Sequence, residues 1–132
     1  MKRKELKSPG LFESLLEIQV EKGRYVDLHN DYDCYQINYL SKTGELQLLF
    51  KALDATIEQV ELVFEGAVIN SMSFSFEDVS EMATIDSLYR GKYQDLSGLR
   101  ELSEEGKSYY YVEFYRGAAF ELFASKVILV YN

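Results

Sequence analysis

Cysteine, histidine and proline each occur once in this chain, as Cys34, His29 and Pro9, and tryptophan is absent. One cysteine excludes an intramolecular disulfide and a four-thiolate zinc site. A reducing compartment fits this usage without being required by it. One histidine means that any mechanism with an imidazole base must run through His29. Cys34 and His29 are the sole Cys/His pair, and their odd offset puts them on opposite faces of an extended strand, away from mutual contact. Cys34 is therefore read as a small buried apolar residue. No Gly-x-Ser-x-Gly elbow, phosphate loop or Gly-x-Gly-x-x-Gly fingerprint occurs. No apolar run approaches the roughly 20 residues of a membrane-spanning helix. The basic start is followed by Ser8-Pro9-Gly10 and not by an apolar stretch, so no signal peptide is read and a cytoplasmic location is expected.

Basic charge is also scarce: 14 Lys and Arg stand against 22 Asp and Glu, a net charge of −8. Four of the basic side chains and one acidic one fall in residues 1–7. That leaves ten basic and 21 acidic, or −11, over residues 8–132. Such a body repels phosphate backbones, which argues against nucleic acid as a partner, and it steers a basic protein toward itself. Solubility alone is the plainer use of the same charge.

What is abundant is aromatic: 11 Tyr and 8 Phe among 132 residues. These residues favour pleated, half-buried surfaces and point to strands. At this length one domain is expected: a flexible basic lead-in over residues 1–10, then a single β-rich domain over 11–132. Apolar–polar alternation marks strands near 15–20, 35–39, 45–51, 59–65 and 69–76; the pattern stops from Glu77 to Glu105, where residues 86–93 could form a short edge strand ending near Gly91. In these, Tyr35, Ile37 and Tyr39 share a face. Leu46, Leu48 and Phe50 point inward, as do Val60, Leu62 and Phe64, while Met72, Phe74 and Phe76 alternate with Ser71, Ser73 and Ser75. Residues 24–33 read as a loop or ragged edge strand. Helical turns are expected at Ser80–Ala83 and within 95–102, where Gly98 weakens the second.

Two β-rich runs around Arg116-Gly117 form a hairpin from Tyr109 to Tyr131. Both of its faces carry apolar residues, and Val127–Tyr131 does not alternate at all, so it is expected at the centre of the core. With no alternating helices, the fold class is mainly β. The architecture is an antiparallel β-sandwich, or a strongly curved sheet or partly open barrel, of about seven or eight strands with one or two helical turns.

Few constellations point to chemistry. Asp27, His29, Asp31 and Asp33 would share one face if the segment were extended, an arrangement able to hold a divalent metal; a solvated Asx-rich loop is the competing reading. Glu61, Glu65, Glu113 and Glu121 sit at outward strand positions and could pair as carboxylates, although an acidic sheet face in water explains them equally. Tyr109, Tyr111, Glu113 and Tyr115 would form one face of the C-terminal hairpin, suited to protein recognition or sugar stacking if open and to packing if covered by residues 77–105.

The ending Tyr-Tyr-Val-Glu-Phe…Phe-Glu-Leu-Phe-Ala and the small acidic β-rich make-up resemble several uncharacterised bacterial families, some of which act as immunity proteins that neutralise a toxin. No motif carries a residue across from them. The expected function is a non-enzymatic protein-interaction module, immunity-like in one version, without a cofactor and without a membrane partner. Its expected contact residues are Glu45, Gln47, Lys51, Gln59, Glu61 and Glu65 on the strands with one wet side. The alternative is a small-ligand or metal-binding β barrel, enzymatic in one version, using Asp27, His29, Asp31 and Asp33. A homo-oligomer whose free edge strand or aromatic face pairs with itself is the third reading.

Overall fold

The computed structural model describes residues 1–7, 10–54, 58–74, 83–115 and 118–132. Among these there is no helix. The strands are β1 (Lys2–Glu5), β2 (Glu17–Glu21), β3 (Arg24–Asp27), β4 (Tyr32–Leu40), β5 (Glu45–Ala52), β6 (Gln59–Glu65), β7 (Val68–Ser73), β8 (Ile85–Gly91), β9 (Tyr93–Asp95), β10 (Gly98–Arg100), β11 (Ser108–Phe114), β12 (Ala119–Ala124) and β13 (Lys126–Tyr131). One sheet has the order β1-β13-β6-β5-β4 and a second β7-β12-β11-β8, with β2-β3 and β10-β9 as separate two-stranded ribbons. Every pairing is antiparallel. Among the described residues no sheet closes into a barrel, and the arrangement is consistent with a β-sandwich.

Alternation builds the core. Leu46, Leu48 and Phe50 on β5 and Leu62 and Phe64 on β6 have no exposed surface, and their register aligns them pair by pair as Leu46↔Phe64, Leu48↔Leu62 and Phe50↔Val60. From the second sheet Ile85, Leu88, Tyr110, Val112, Phe120 and Leu122 join the same cluster. Phe64 meets Tyr110 edge to ring with centroids 5.8 Å apart, which ties one sheet to the other. The run Val127–Tyr131 is buried throughout because β13 lies between β1 and β6: Val127, Leu129 and Tyr131 enter the main core, while Ile128 and Val130 form a second small cluster with Val63 on the opposite face.

Several expectations are corrected. Residues 2–5, read as part of a loose lead-in, form β1 against β13 in the register Lys2↔Tyr131 to Glu5↔Ile128. Their strand character comes from the open edge of β13, not from any pattern of their own. Where residues 95–102 suggested a helical turn there is the β9–β10 ribbon. The Asp95 carboxylate accepts the Ser97 amide at 2.7 Å, and Gly98 takes a φ of 114°, so the chain reverses instead of winding. The other expected turn, Ser80–Ala83, lies largely outside the described residues; Ala83 itself bridges to Cys34. More strands occur than anticipated because β3, the β9-β10 ribbon and the edge strand β1 carry little alternation.

A bulge between Cys34 and Gln36 breaks the expected face of β4. Cys34 pairs with Phe50 and Ile37 with Leu48, both inward partners, so one extra residue has entered between them. Tyr35 turns to the outer face: the Lys51 ammonium lies 4.4 Å from its ring centroid, and its hydroxyl donates to Gln59 at 3.4 Å. Met72 and Phe74 are not core residues; they are 44% and 49% exposed, with β7 at an edge of its sheet. Ser75 and Phe76 lie outside the described residues. No helix among the described residues is long and apolar enough to cross a membrane.

Candidate functional site

The four residues proposed as metal ligands do not share a face. β3 ends at Asp27, a turn follows, and β4 starts at Tyr32, so the alternation that would align them is broken. Asp27 organises the turn: its Oδ1 accepts the His29 and Asn30 backbone amides at 3.1 and 3.0 Å, and its Oδ2 accepts the Asn30 side-chain amide at 2.8 Å. Partial burial raises the Asp27 carboxyl, but these three bonds outweigh it and hold the carboxyl below the ordinary range. His29 Nδ1 lies 2.7 Å from the Ile85 carbonyl, which can only accept, so the proton sits on Nδ1; Asp86 Oδ1 is 3.5 Å away. Asp33 accepts from Thr84 at 3.3 Å, and Asp31 turns its carbonyl to the Leu53 amide. Each residue is engaged with a different partner. Among the described residues no three His, Cys, Asp or Glu side chains come together as a metal site. Cys34 is buried, and burial pushes its thiol up to about 11, far from a reactive thiolate.

The six expected contact residues do come together. Glu45, Gln47 and Lys51 on β5 and Gln59, Glu61 and Glu65 on β6 alternate with the core positions and so share the outer face of the five-stranded sheet. Gln47 is opposite Val63 and Glu61 is opposite Val130, so the small cluster Val63, Ile128 and Val130 lies among them. Two features were not anticipated. β1 brings Arg3 to this face, where its guanidinium lies 3.5 Å from Glu65, and the bulge brings Tyr35. The face is therefore of mixed charge and not uniformly acidic.

The outer face of the four-stranded sheet is different. Register aligns two rows across it: Ser71–Glu121–Tyr111–Tyr89 and Ser73–Ala119–Glu113–Ser87. The second row is small apart from Glu113, while the first carries two rings, so the surface dips into an open groove of about 300 Å³. Tyr89 and Tyr111 stack with centroids 5.1 Å apart and planes 17° apart, and Phe12 backs Tyr89 at 6.0 Å. The Tyr111 hydroxyl donates to the Lys92 carbonyl at 2.6 Å. Burial first, then the charge of Glu121, raises the Tyr111 hydroxyl above the usual tyrosine value. The next row is closed: Tyr93 of β9 packs on Tyr109 and Phe123 at 5.2 and 4.8 Å. Among the described residues, the covering expected from residues 77–105 reaches Tyr109 and leaves the groove beside Tyr111 open.

Glu113 and Glu121 were recognisable in the sequence as outward carboxylates and Ser71 and Ser73 as a wet face. Ser87 and Tyr89 were not singled out, because their strand shows no clean alternation and its neighbour β11 lies some twenty residues further along the chain.

Among the described residues, fold and surfaces define an antiparallel β protein with two distinct outer sheet faces, one of mixed charge and one grooved. Comparison with known proteins finds no family model, no curated protein and no solved structure that matches the chain.

Proposed function

We propose that this protein is an interaction module that binds a basic protein partner through the outer face of the five-stranded sheet, with an immunity-like inhibitor of a basic toxin as one version. The observation that carries this reading is the shared register of β5 and β6. It gathers Glu45, Glu61 and Glu65 with Gln47, Gln59 and Lys51 around the Val63, Ile128 and Val130 cluster. Val63, Ile128 and Val130 are themselves buried beneath these side chains, so the face offers a partner carboxylates and amides on a firm base, suited to a contact in which charge steers the approach and polar pairing fixes it. The charge of −11 over residues 8–132 supplies the long-range field.

The test is affinity capture from the native cell extract with wild-type protein and with a Glu45→Lys, Glu61→Lys, Glu65→Lys variant. A basic protein retained by the wild type at low salt, released as salt rises and absent from the variant supports the reading. Identical capture by both proteins, or capture of nothing at low salt, overturns it.

A further inference from the structure

We propose that the groove on the outer face of the four-stranded sheet binds a guanidinium group, presented by an arginine side chain of a peptide or protein. Three independent features of the groove converge on that chemistry. They belong to the other sheet, so the inference does not rest on the reading given for the five-stranded one.

The first feature is shape. At about 300 Å³ the groove stands at the small end of ligand sites, and it is open along one side. It exists because Ser73, Ala119 and Ser87 are small where Tyr111 and Tyr89 in the adjoining row are large. That space suits one side chain better than a nucleotide or an extended cofactor.

The second is charge. Glu113 and Glu121 are diagonal neighbours on β11 and β12, a relationship that sets their backbones about 7–8 Å apart. They are the charged residues among the described lining, and no Lys, Arg or His stands beside them there. Two like charges across a groove repel each other, and a cation between them relieves that repulsion. Glu121 is half-buried beside the tyrosines, whereas Glu113 is exposed and free to reorient.

The third is the aromatic wall. Tyr89 and Tyr111 hold each other by stacking, Phe12 supports Tyr89 and the Lys92 carbonyl fixes the Tyr111 hydroxyl, so the wall is organised before any ligand arrives. A guanidinium is planar. It donates two parallel hydrogen bonds to a carboxylate and lies flat on an aromatic face. An ammonium meets the charge but not the planar match. A neutral sugar could use the rings and the serine hydroxyls, yet it brings no counter-charge to either carboxylate. Charge complementarity therefore selects arginine.

Amide-resolved NMR titration tests this with three small probes: the N-acetyl methylamides of arginine, lysine and citrulline. The arginine probe is expected to shift the Ser87, Glu113 and Glu121 amides saturably, with a dissociation constant of the order of 1 mM as befits a single-side-chain contact. Lysine should bind more weakly, and citrulline, the neutral isostere, should not bind. A Glu113→Gln, Glu121→Gln variant should weaken the arginine probe at least about tenfold, the effect of about 1.4 kcal/mol in binding. Glu113→Gln alone should weaken it in the same direction, and since Glu113 is exposed this variant keeps the test valid if the double variant fails to fold. Equal shifts from citrulline or lysine, retention of affinity in the Gln variants, or no saturable shift up to about 20 mM arginine probe overturns the proposal.

Discussion

The ring of Tyr111 lies across Gly91: a Cβ at residue 91 would stand 2.4 Å from Tyr111 Cε2 and 2.7 Å from its Cδ2. The two residues face each other on neighbouring strands, one row apart from direct register. Gly91 has no left-handed φ to satisfy, so glycine is required here by packing and not by backbone conformation. The ring cannot easily withdraw, because it is stacked on Tyr89 and tethered through its hydroxyl to the Lys92 carbonyl. Gly91→Ala is therefore expected to destabilise the protein by about 1–3 kcal/mol, the range for overpacking. Urea unfolding of Gly91→Ala, Tyr111→Ala and the double variant checks this. The alanine at 91 should become nearly neutral once the ring is gone, giving a coupling energy well above the few tenths expected of independent sites. Simple additivity of the two substitutions would show that the ring moves aside freely.

Alkaline pH should weaken the fold through the buried tyrosines. Burial first, and then the charge of Glu121, carries the Tyr109 hydroxyl from the usual 10.0 up to about 12, although the Asn70 amide, donating at 2.8 Å, pulls the other way. Burial likewise raises Tyr32, Tyr110 and Tyr111. In each case the folded state prefers the neutral hydroxyl. The associated stability is present in full below 10.0 and is lost as pH rises from 10.0 toward about 12, because the unfolded chain releases protons that the folded chain retains. Tyrosinate absorbance should show one group of tyrosines ionising near the ordinary value and a second only as the protein unfolds. Tyr109→Phe leaves the Asn70 amide without its acceptor and should cost about 1 kcal/mol at neutral pH, yet its stability should fall less steeply in the alkaline limb. Parallel alkaline limbs for variant and wild type would assign the pH dependence to other residues.

How far the sequence reveals this molecule depends on where the deciding interaction lies. Alternation in Glu45–Lys51 and Gln59–Glu65 announces both the inward and outward faces of β5 and β6, because each strand buries one side fully and carries mostly polar side chains on the other. The unbroken apolar run Val127–Tyr131 announces a strand covered on both sides. Tyr35 is misplaced by the same rule, since a bulge adds one residue against its partner strand and alternation read along one strand cannot count the other. Asp27–Asp33 misleads in another way: extension would align four metal ligands, but Asx chemistry favours a turn, and the turn wins by giving Asp27 three donors. The groove is hidden because it joins residues from four strands, and its depth comes from small side chains that carry no signal of their own.

The N-terminal strand gives the last expectation. Lys2–Glu5 has no apolar pattern, yet it occupies the free side of β13. It is held there by the ladder from Lys2↔Tyr131 to Glu5↔Ile128 and by the Leu6 amide donating to the Val127 carbonyl at 2.8 Å. Two side chains tie it to β2 as well, Lys2 through Glu21 and Lys4 through the Gln19 carbonyl. The exposed ion pair contributes little, so most of the stabilisation lies in the ladder and in the apolar surface it shields. Deleting residues 1–5 should lower stability by about 1–3 kcal/mol. It should also leave Val-Ile-Leu-Val-Tyr on an open sheet edge, an uncharged β-branched run of the kind that pairs with a second chain. The shortened protein is therefore expected to self-associate with rising concentration, measured by size-exclusion chromatography with light scattering, while the full chain stays in its original state. Adding Ile128→Lys to the deletion should suppress the association, because a charge on a free edge strand opposes pairing. If the deletion variant keeps both its oligomeric state and its urea midpoint, β1 neither stabilises the sheet nor guards its edge.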